Sequence, residues 1–489
     1  MENQQPSANN TSDIERMRNW DTEDEDEDEA EDGDIVVDDR RIRKASKVMQ
    51  FKKHDEEDYY TPKVVSFGPY YHGLQELRPG EEFKHDVFTK FFSSSGIDKK
   101  FFLGEIFKVI DLIRDSCYVG VSKHEYDDRA LAEMMLLDAC FTIYLMEIAL
   151  GVEEKMIHFY RNIGLPLLPL VLQDMYLLEN QIPLWFIKLL YGIRYGNIEE
   201  GWSLICKFTI YVSTKDSRLT TNLTRGKNQP LHLLDAIYRV FVLELDNAKK
   251  PVKKRQWWPW RKENPNNFVA AAHRDQELDS AGEKPVKKYQ WWSWRKQNPN
   301  EFGYPKPNRQ SRSVTDLKAK GIHFKPSSYC LKDIKFKSYT FYGQLQLPVC
   351  LFTIHSKLLF THMIAFEMNP EGGGEYTVTF YVSFLKSLIV KSEDVKELRE
   401  NKILFSTLDN DEQVVEAIKD INTRGYGTDI MFDDVKMALE KHCSSKSKTW
   451  IAELIHTYFR NPWTFIALLA ATFLLCLTFL QTYYTMKSK

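Results

Sequence analysis

The sequence predicts a mainly α-helical protein: a single large helical domain with minor β content, followed by one C-terminal transmembrane helix. Three observations support this fold class. Apolar residues recur at intervals of three and four through most of the chain, which is the spacing of an amphipathic helix. Residues that cap helices stand just before such stretches, as Asn410 does three positions before Gln413. Near the C-terminus, the run from Trp463 to Leu480 contains no charged residue.

An N-terminal segment, residues 1–57, is predicted to be disordered because it consists of an acidic block and then a basic block. Residues 21–34 are almost wholly acidic and residues 40–53 are largely basic, although the net charge of the chain is only −3. Runs of like charge repel each other and remain solvated. We therefore expect either a solubilising low-complexity tail or a docking site for a basic partner.

Residues 58–457 are predicted to form the helical domain. Its most apolar stretches, Leu131–Leu150 and Leu165–Tyr191, are expected to be central helices. The second stretch cannot span a membrane, because polar and charged residues interrupt it from Asp174 onwards. The helix capped by the asparagine described above is expected to end at Gly425. The minor sheet content is expected in three short runs with the composition of strands: Lys63–Phe67, Gln344–Phe352 and Tyr376–Val382.

A duplicated, Trp-rich basic insertion is expected to interrupt this domain at residues 249–305. The stretch KKPVKKRQWWPWRKENPNNF returns 34 residues later as EKPVKKYQWWSWRKQNPNEF, without apolar periodicity. Tryptophan beside arginine and lysine suits a membrane surface, and it also suits a protein partner or stacking on single-stranded nucleic acid. An inert loop is the remaining interpretation, and we expect no nucleic acid partner. The tryptophans concerned are Trp257, Trp258, Trp260, Trp291, Trp292 and Trp294.

Residues 462–484 are predicted to form the transmembrane helix, with residues 485–489 as a short tail. Roughly 20 apolar residues are needed to cross the hydrocarbon core of a bilayer, and this run is just long enough. Trp463 at one end and Tyr483 and Tyr484 at the other suit the two headgroup layers. A buried core helix is the alternative, but such helices normally keep a polar face.

The sequence favours a single-pass, tail-anchored topology with a cytosolic body. The N-terminus lacks the apolar region of a secretory signal. The seven cysteines include no Cys-x-x-Cys pair, which is typical of reduced thiols in the cytosol. The plasma membrane and the endoplasmic reticulum both remain open as locations. Ala467 and Ala471 form a small-x-x-x-small pair, which leaves homo-oligomerisation open without strong support.

The sequence contains no motif typical of hydrolases, phosphate-binding loops or zinc sites. We therefore expect no enzyme activity, no cofactor and no metal. His355 and His362 are seven positions apart and would share a face of a helix, but two ligands make a weak metal site.

One polar cluster, Glu179, Asn180 and Gln181, is set between apolar residues. Buried polar groups must be hydrogen-bonded, so the cluster is expected at a helix terminus with its side chains bound to neighbouring backbone. In the alternative interpretation, Glu179 has a shifted pKa and acts with Asp138 or Asp235 in a hydrolase.

An ordered series of segments lies at residues 60–73, 134–141, 174–183, 232–235, 317–324, 364–367 and 458–463. From about Tyr59 to Tyr484, this series resembles the plant family called domain of unknown function 247. The resemblance implies a mostly helical body on one C-terminal anchor, in a family with no established enzyme activity. Some grass members are linked to self-incompatibility between pollen and stigma. Ala139 and the stretch Ile354–Ser356 depart from the family pattern.

Taken together, these features predict a membrane-anchored, non-enzymatic plant protein that acts in protein–protein recognition or signalling. Its protein partner is not specified by the sequence. The hydrolase that uses buried carboxylates and a lipid-surface-binding protein that uses the Trp-rich insertion are the two alternatives.

Overall fold

A computed structural model describes residues 59–93, 96–117, 126–214, 229–243, 312–368, 376–423, 431–445 and 462–487. The chain divides into two units, residues 1–249 with 312–489 and residues 250–311. The second unit lies outside the described residues. The predicted disorder of residues 1–57 and the six tryptophans of the duplicated insertion also lie outside them.

The first part of the described chain is built from α-helices around one buried helix, α4. This helix begins after Asp127, whose side chain accepts a hydrogen bond from the backbone N–H of Ala130 (2.7 Å). It contacts α1, α2, α3, α5, α7 and α8, which confirms the predicted central helix at Leu131–Leu150. The helices are α1 Arg78–Ser93, α2 Lys99–Lys108, α3 Ile110–Ser116, α4 Asp128–Ala149, α5 Glu153–Asn162, α6 Leu168–Asp174, α7 Leu184–Tyr195, α8 Ile198–Thr214 and α9 Leu233–Val242.

The second predicted central helix, Leu165–Tyr191, is wrong as a single helix. A 3₁₀ turn at Leu165–Leu167 leads into α6, and irregular backbone then separates α6 from α7. The side chain of Gln181 donates to the carbonyl oxygens of Met175 and Leu177 (both 2.8 Å) and so competes with helical hydrogen bonds there. Pro183 immediately precedes α7 and has no N–H to continue a helix.

The second part of the described chain combines helices with two small sheets. Strands β1 and β2 flank β3, with β1 parallel and β2 antiparallel to it, and β4 pairs with β5 in parallel. Helix α11 contacts α9, α12 and α14 and so joins the two parts. The elements are α10 Val314–Ala319, β1 Ile322–Pro326, β2 Lys335–Ser338, β3 Gly343–Leu347, β4 Cys350–Phe352, α11 Ser356–Glu367, α12 Thr377–Leu388, α13 Ser392–Glu400, β5 Leu404–Ser406, α14 Asp411–Asp420 and α15 Asp433–Cys443.

Of the three predicted strand runs, only Gln344–Phe352 is confirmed, as most of β3 and all of β4. Lys63–Phe67 is irregular backbone, and Tyr376–Val382 lies mainly in α12. Residues 377–382 are all buried in the structure. Because this part of the helix has no exposed polar face, its sequence lacks the periodic alternation of apolar and polar residues that predicts a helix. The carboxylate of Glu367 also accepts the backbone N–H groups of residues 378 and 379 (2.7 and 2.9 Å), which stabilises the first turn of α12.

The predicted cap at Asn410 is confirmed, because its side chain accepts the backbone N–H of Gln413 (2.8 Å) at the start of α14. That helix ends at Asp420, five residues before the expected stop at Gly425, which lies outside the described residues. None of the seven cysteines forms a disulfide bond in the described structure, and Cys140 is buried in α4.

The last helix, α16 (Pro462–Lys487), is 26 residues long. Its segment Leu469–Lys487 has a mean hydropathy of 1.3, and no part of this segment is buried in the protein. Among the described residues this is the one helix long and apolar enough to cross a membrane. Helices α4 and α5 reach this length and apolar character only when they are taken together. They are bent by 113° relative to each other, and α4 is buried in the body. Tyr483 and Tyr484 lie in α16 with exposed side chains, and Trp463 lies in its first turn.

Candidate functional site

Irregular backbone at Lys63–Gly68, which we call the strap, crosses the helical core. All six of its consecutive backbone N–H groups donate to side-chain oxygens. Because the strap has no strand or helix partner among the described residues, these side chains supply the bonds that secondary structure would otherwise provide. Asp174 accepts from residues 63, 64 and 65 (2.9, 2.7 and 2.9 Å), Glu81 from residue 66 (3.2 Å), Asn180 from residue 67 (2.7 Å) and Asp138 from residue 68 (2.7 Å).

Lys84 on α1 is fully buried and links the strap to α4. Its ammonium group donates to Asp138 (2.7 Å), to Glu81 (3.0 Å) and to the backbone carbonyl of Ser66 (2.5 Å). A buried ammonium ion needs partners of this kind to offset the loss of its hydration. Burial raises the pKa of Asp138 even though Lys84 opposes the change. Burial alone would also raise the pKa of Glu81, but Lys84 and Ser66 together lower it.

Asn180 and Gln181 bind backbone groups, as in the helix-terminus interpretation of the polar cluster. The amide nitrogen of Asn180 donates to the carbonyl oxygens of Val65 (3.1 Å) and Asp174 (2.9 Å). The amide oxygen of Gln181 accepts the backbone N–H of Leu234 (3.3 Å) at the start of α9. The turn at residues 179–181 therefore ties together the strap, α6 and α9.

The carboxylates of the hydrolase interpretation have separate partners. Glu179 accepts from the hydroxyl group of Tyr71 (3.1 Å), and Asp138 is bound to the strap and to Lys84. Asp235 accepts from the guanidinium of Arg239 (2.9 Å) and from the backbone N–H of residue 231 (2.9 Å). The cavity beside Asn180 and Gln181 has a volume of about 10 Å³, which is too small for a substrate. None of the described hydrogen bonds joins two of these three carboxylates.

Two further buried groups on α11, His362 and Glu367, also bind backbone. His362 accepts the backbone N–H of Leu178 through Nδ1 (3.1 Å) and donates from Nε2 to the carbonyl of Tyr59 (2.8 Å). Burial lowers the pKa of His362 to about 4, so the ring is neutral at pH 7. Burial raises the pKa of Glu367 to about 7 and that of Asp174 to about 6.

The sequence offered His355 and His362 as a weak candidate pair of metal ligands. His362 is not available for this role, because both of its ring nitrogens bind backbone groups. In the described ranges, no group of three or more His, Cys, Asp or Glu side chains is arranged to hold a metal ion. His355 instead lines a cavity of about 240 Å³ together with Tyr176, Phe241 and Thr353.

The surface of α5 carries an exposed apolar patch that was not predicted from the sequence. Phe159 on the inner face of α5 is buried and contacts the ring of Phe83 (5.6 Å between centroids), which fixes the helix on the body. The solvent-facing side of α5 exposes apolar residues, three of them spaced four apart, and the chain after the helix adds two leucines. We call this patch the α5 stripe: Val152, Met156, Ile157, Tyr160, Leu165 and Leu167.

The α5 stripe compares in size with the largest apolar patch on a typical monomeric protein. Tyr160 is 59% exposed, and the six side chains together present on the order of 500 Å² of apolar surface. Patches of this size on a folded protein commonly mark an interaction site. A sequence signal was present, because apolar Ile157 falls on the side of the helix opposite Phe159, where a surface helix normally carries polar residues.

Comparisons with known proteins place these observations in a family context. The family model DUF247, described as a plant protein of unknown function, matches residues 43–477. One UPF0481 protein of Arabidopsis thaliana is 23% identical over 483 residues, covering 87% of this chain and 87% of the relative. Another UPF0481 protein of Arabidopsis thaliana is 25% identical over 442 residues, covering 86% of this chain and 82% of the relative. No solved structure matches the chain.

Proposed function

Because the chain belongs to the plant family DUF247, whose function is unknown, we propose its role from its own surfaces. It is a membrane-anchored, non-enzymatic protein whose helical body acts in protein–protein recognition or signalling. The observation that carries this proposal is the α5 stripe, an apolar surface on a rigidly held helix. The use of Asp138, Asp174 and Asn180 to bind the strap supports a binding role for the body over a catalytic one.

The partner that best fits the α5 stripe is a second copy of this chain. A stable interface usually buries about 800 Å² on each partner around an apolar centre. The stripe, at on the order of 500 Å², has the right area for such a centre. Polar residues of α5 would then form the rim.

The charges of α5 also complement themselves. Glu153 stands at the N-terminal end of the helix, Arg161 stands at its C-terminal end, and Ile157 is midway between them. If two copies of α5 pair antiparallel about a two-fold axis, Ile157 meets its own copy at the axis. Glu153 of each copy then faces Arg161 of the other, so both ends of the interface carry opposite charges.

Membrane attachment through α16 would strengthen such a weak self-association. Two copies held on one membrane meet at a higher effective concentration than free copies do. The proposed arrangement is tail-anchored, with the body in the cytosol, at the plasma membrane or the endoplasmic reticulum. Protease digestion of intact microsomes tests it, because a cytosolic body is degraded while a translocated body is protected.

Light scattering of the full chain in detergent micelles measures the self-association. Ile157→Arg should weaken it by about 4 kcal/mol, roughly a thousandfold, because symmetry removes the central contact twice. Glu153→Arg should also weaken it, and adding Arg161→Glu to that variant should restore it, since the charges are then exchanged. A chain that is monomeric at all concentrations, or a swapped variant that stays as weak as the single one, would contradict the proposal.

A further inference from the structure

The outward face of the three-stranded sheet carries lysines and no acidic residue at its strand positions. Residues that are register partners point to the same side of a sheet, and the residues between them, such as Phe324 and Leu345, are buried. Asp333, in the turn before β2, pairs with Lys335 (2.5 Å) at the edge. On this side lie the exposed His323 and Lys325 on β1, the exposed Lys337 and Lys335 on β2, and on β3 the half-buried Gln346 and the buried Gln344. We call them the cationic sheet face.

An aromatic cluster continues this face at the turn between β2 and β3. The rings of Tyr339 and Tyr342 stack with 4.7 Å between centroids, and Tyr342 contacts the ring of His323 edge-on at 5.5 Å. Phe341, at the turn itself, is 60% exposed. Tyrosine suits the headgroup layer of a bilayer, and phenylalanine suits the hydrocarbon just below it. We call Tyr339, Phe341 and Tyr342 the aromatic tip.

Helix α15, the last described helix before α16, ends beside this tip. His442, near the C-terminal end of α15, is bonded through Nδ1 to the hydroxyl group of Ser338 (2.8 Å), the residue before the aromatic tip. Its ring also contacts Phe336 on β2, with 5.6 Å between centroids. Residues 444–461 connect α15 to α16, and they span at most about 65 Å even when fully extended. The membrane that α16 enters is therefore within reach of the tip.

We propose that the cationic sheet face and the aromatic tip bind the surface of an anionic lipid bilayer and hold the body against it. Lysines near an anionic membrane are attracted to its surface, and aromatic side chains fix the depth of contact. The acidic residues 21–34 of this chain are an alternative occupant, because their charge also complements the lysines. They contain no large apolar side chain that could pack against the exposed Phe341. The inference rests on the membrane anchoring in the proposed function and adds a second point of contact.

Photo-crosslinking of the full chain in vesicles tests the proposal. Benzoylphenylalanine replaces Phe341, and in a matched control it replaces Phe405, an exposed phenylalanine on β5. The protein is reconstituted into phosphatidylcholine vesicles with and without phosphatidylserine, and lipid adducts are measured by mass spectrometry. We expect adducts at position 341 and none at 405, with more adducts when phosphatidylserine is present. Replacing Lys325, Lys335 and Lys337 by glutamine should lower the yield at least about tenfold.

The outcomes separate this inference from the proposed function. Resistance of the same samples to alkaline carbonate extraction reports anchoring by α16. If the chain is extracted, the anchoring itself fails. If it is retained but position 341 forms no lipid adduct, only the docking proposal is overturned. Crosslinks from position 341 to residues 21–34, or equal yields with and without phosphatidylserine, would also overturn it.

Discussion

Lys84→Met is expected to destabilise the protein by about 3–5 kcal/mol, because it leaves two carboxylates without their shared cation. The Nζ of Lys84 lies 2.7 Å from Asp138 and 2.8 Å from Glu81, and its side chain is fully buried. At 2.7 Å and an effective dielectric constant of about 20, the Coulomb energy of one such pair is about 6 kcal/mol. The cost of desolvating both ions offsets part of that energy in the native protein, but a single unpaired carboxylate keeps its full desolvation cost.

Urea unfolding of the full chain in detergent micelles, followed by far-ultraviolet circular dichroism, measures this effect. Adding Asp138→Asn to Lys84→Met should recover about 2 kcal/mol, since it removes one of the two unpaired charges and keeps an acceptor for the strap. The matched control is Lys90→Met on the same helix, where an exposed pair with Asp86 at 3.8 Å should contribute less than about 1 kcal/mol. A cost for Lys84→Met no larger than that of the control would refute the assignment of this ion cluster.

Two further predictions concern backbone packing and pH. Gly80→Ala should destabilise the chain by about 1–3 kcal/mol, because the new Cβ would lie 2.0 Å from the carbonyl oxygen of Val64. Gly104→Ala, which meets no atom within 4 Å, should stabilise it by about 0.5–1 kcal/mol in the same urea assay; equal effects at the two sites would contradict the close approach. Because burial raises the pKa of Glu367 from 4.5 to about 7, the folded protein holds a proton there that the unfolded chain releases. This contribution is fully present below pH 4.5, falls as the pH rises towards 7, and totals about 3 kcal/mol. Glu367→Gln should flatten that part of the stability profile, and an unchanged profile would count against it.

The sequence was sufficient for features that depend on local pattern. The largely apolar run of α4 predicted a buried helix, and the asparagine at position 410 could be identified as a cap from a spacing of three residues. The charge-free run of α16 stood out from the rest of the chain in the same way. In each case the interacting residues are close together in the sequence.

The strap could not be predicted, because its partners are distant in sequence. Asp138 is 70 residues from Gly68, and Asn180 is 113 residues from Phe67. The strap itself has the composition of a strand, yet side chains take the place of a neighbouring strand. Three of the segments that resemble the family, residues 60–73, 134–141 and 174–183, meet here, so the resemblance located much of this network without revealing its contacts. Glu81 and Lys84 lie outside those segments.

The α12 error has a different cause. Residues 377–382 are rich in β-branched and aromatic residues, which favour strands when one face is exposed. In the structure neither face of this segment is exposed. The carboxylate of Glu367, at the end of α11, stabilises the first turn of α12, and this contact is not visible in the sequence of residues 377–382. Tertiary contacts therefore overrode local propensity.

Disulfide crosslinking at position 157 in isolated membranes tests the central claim most directly. Ile157→Cys is introduced into a chain whose exposed Cys476 is replaced by serine, and Ile354→Cys, at another exposed isoleucine elsewhere on the body, is the control. If two copies pair through the α5 stripe about a two-fold axis, mild oxidation should give a covalent dimer of the Ile157→Cys variant and none of the control variant. No dimer from either variant, or equal dimer from both, would contradict recognition through this surface.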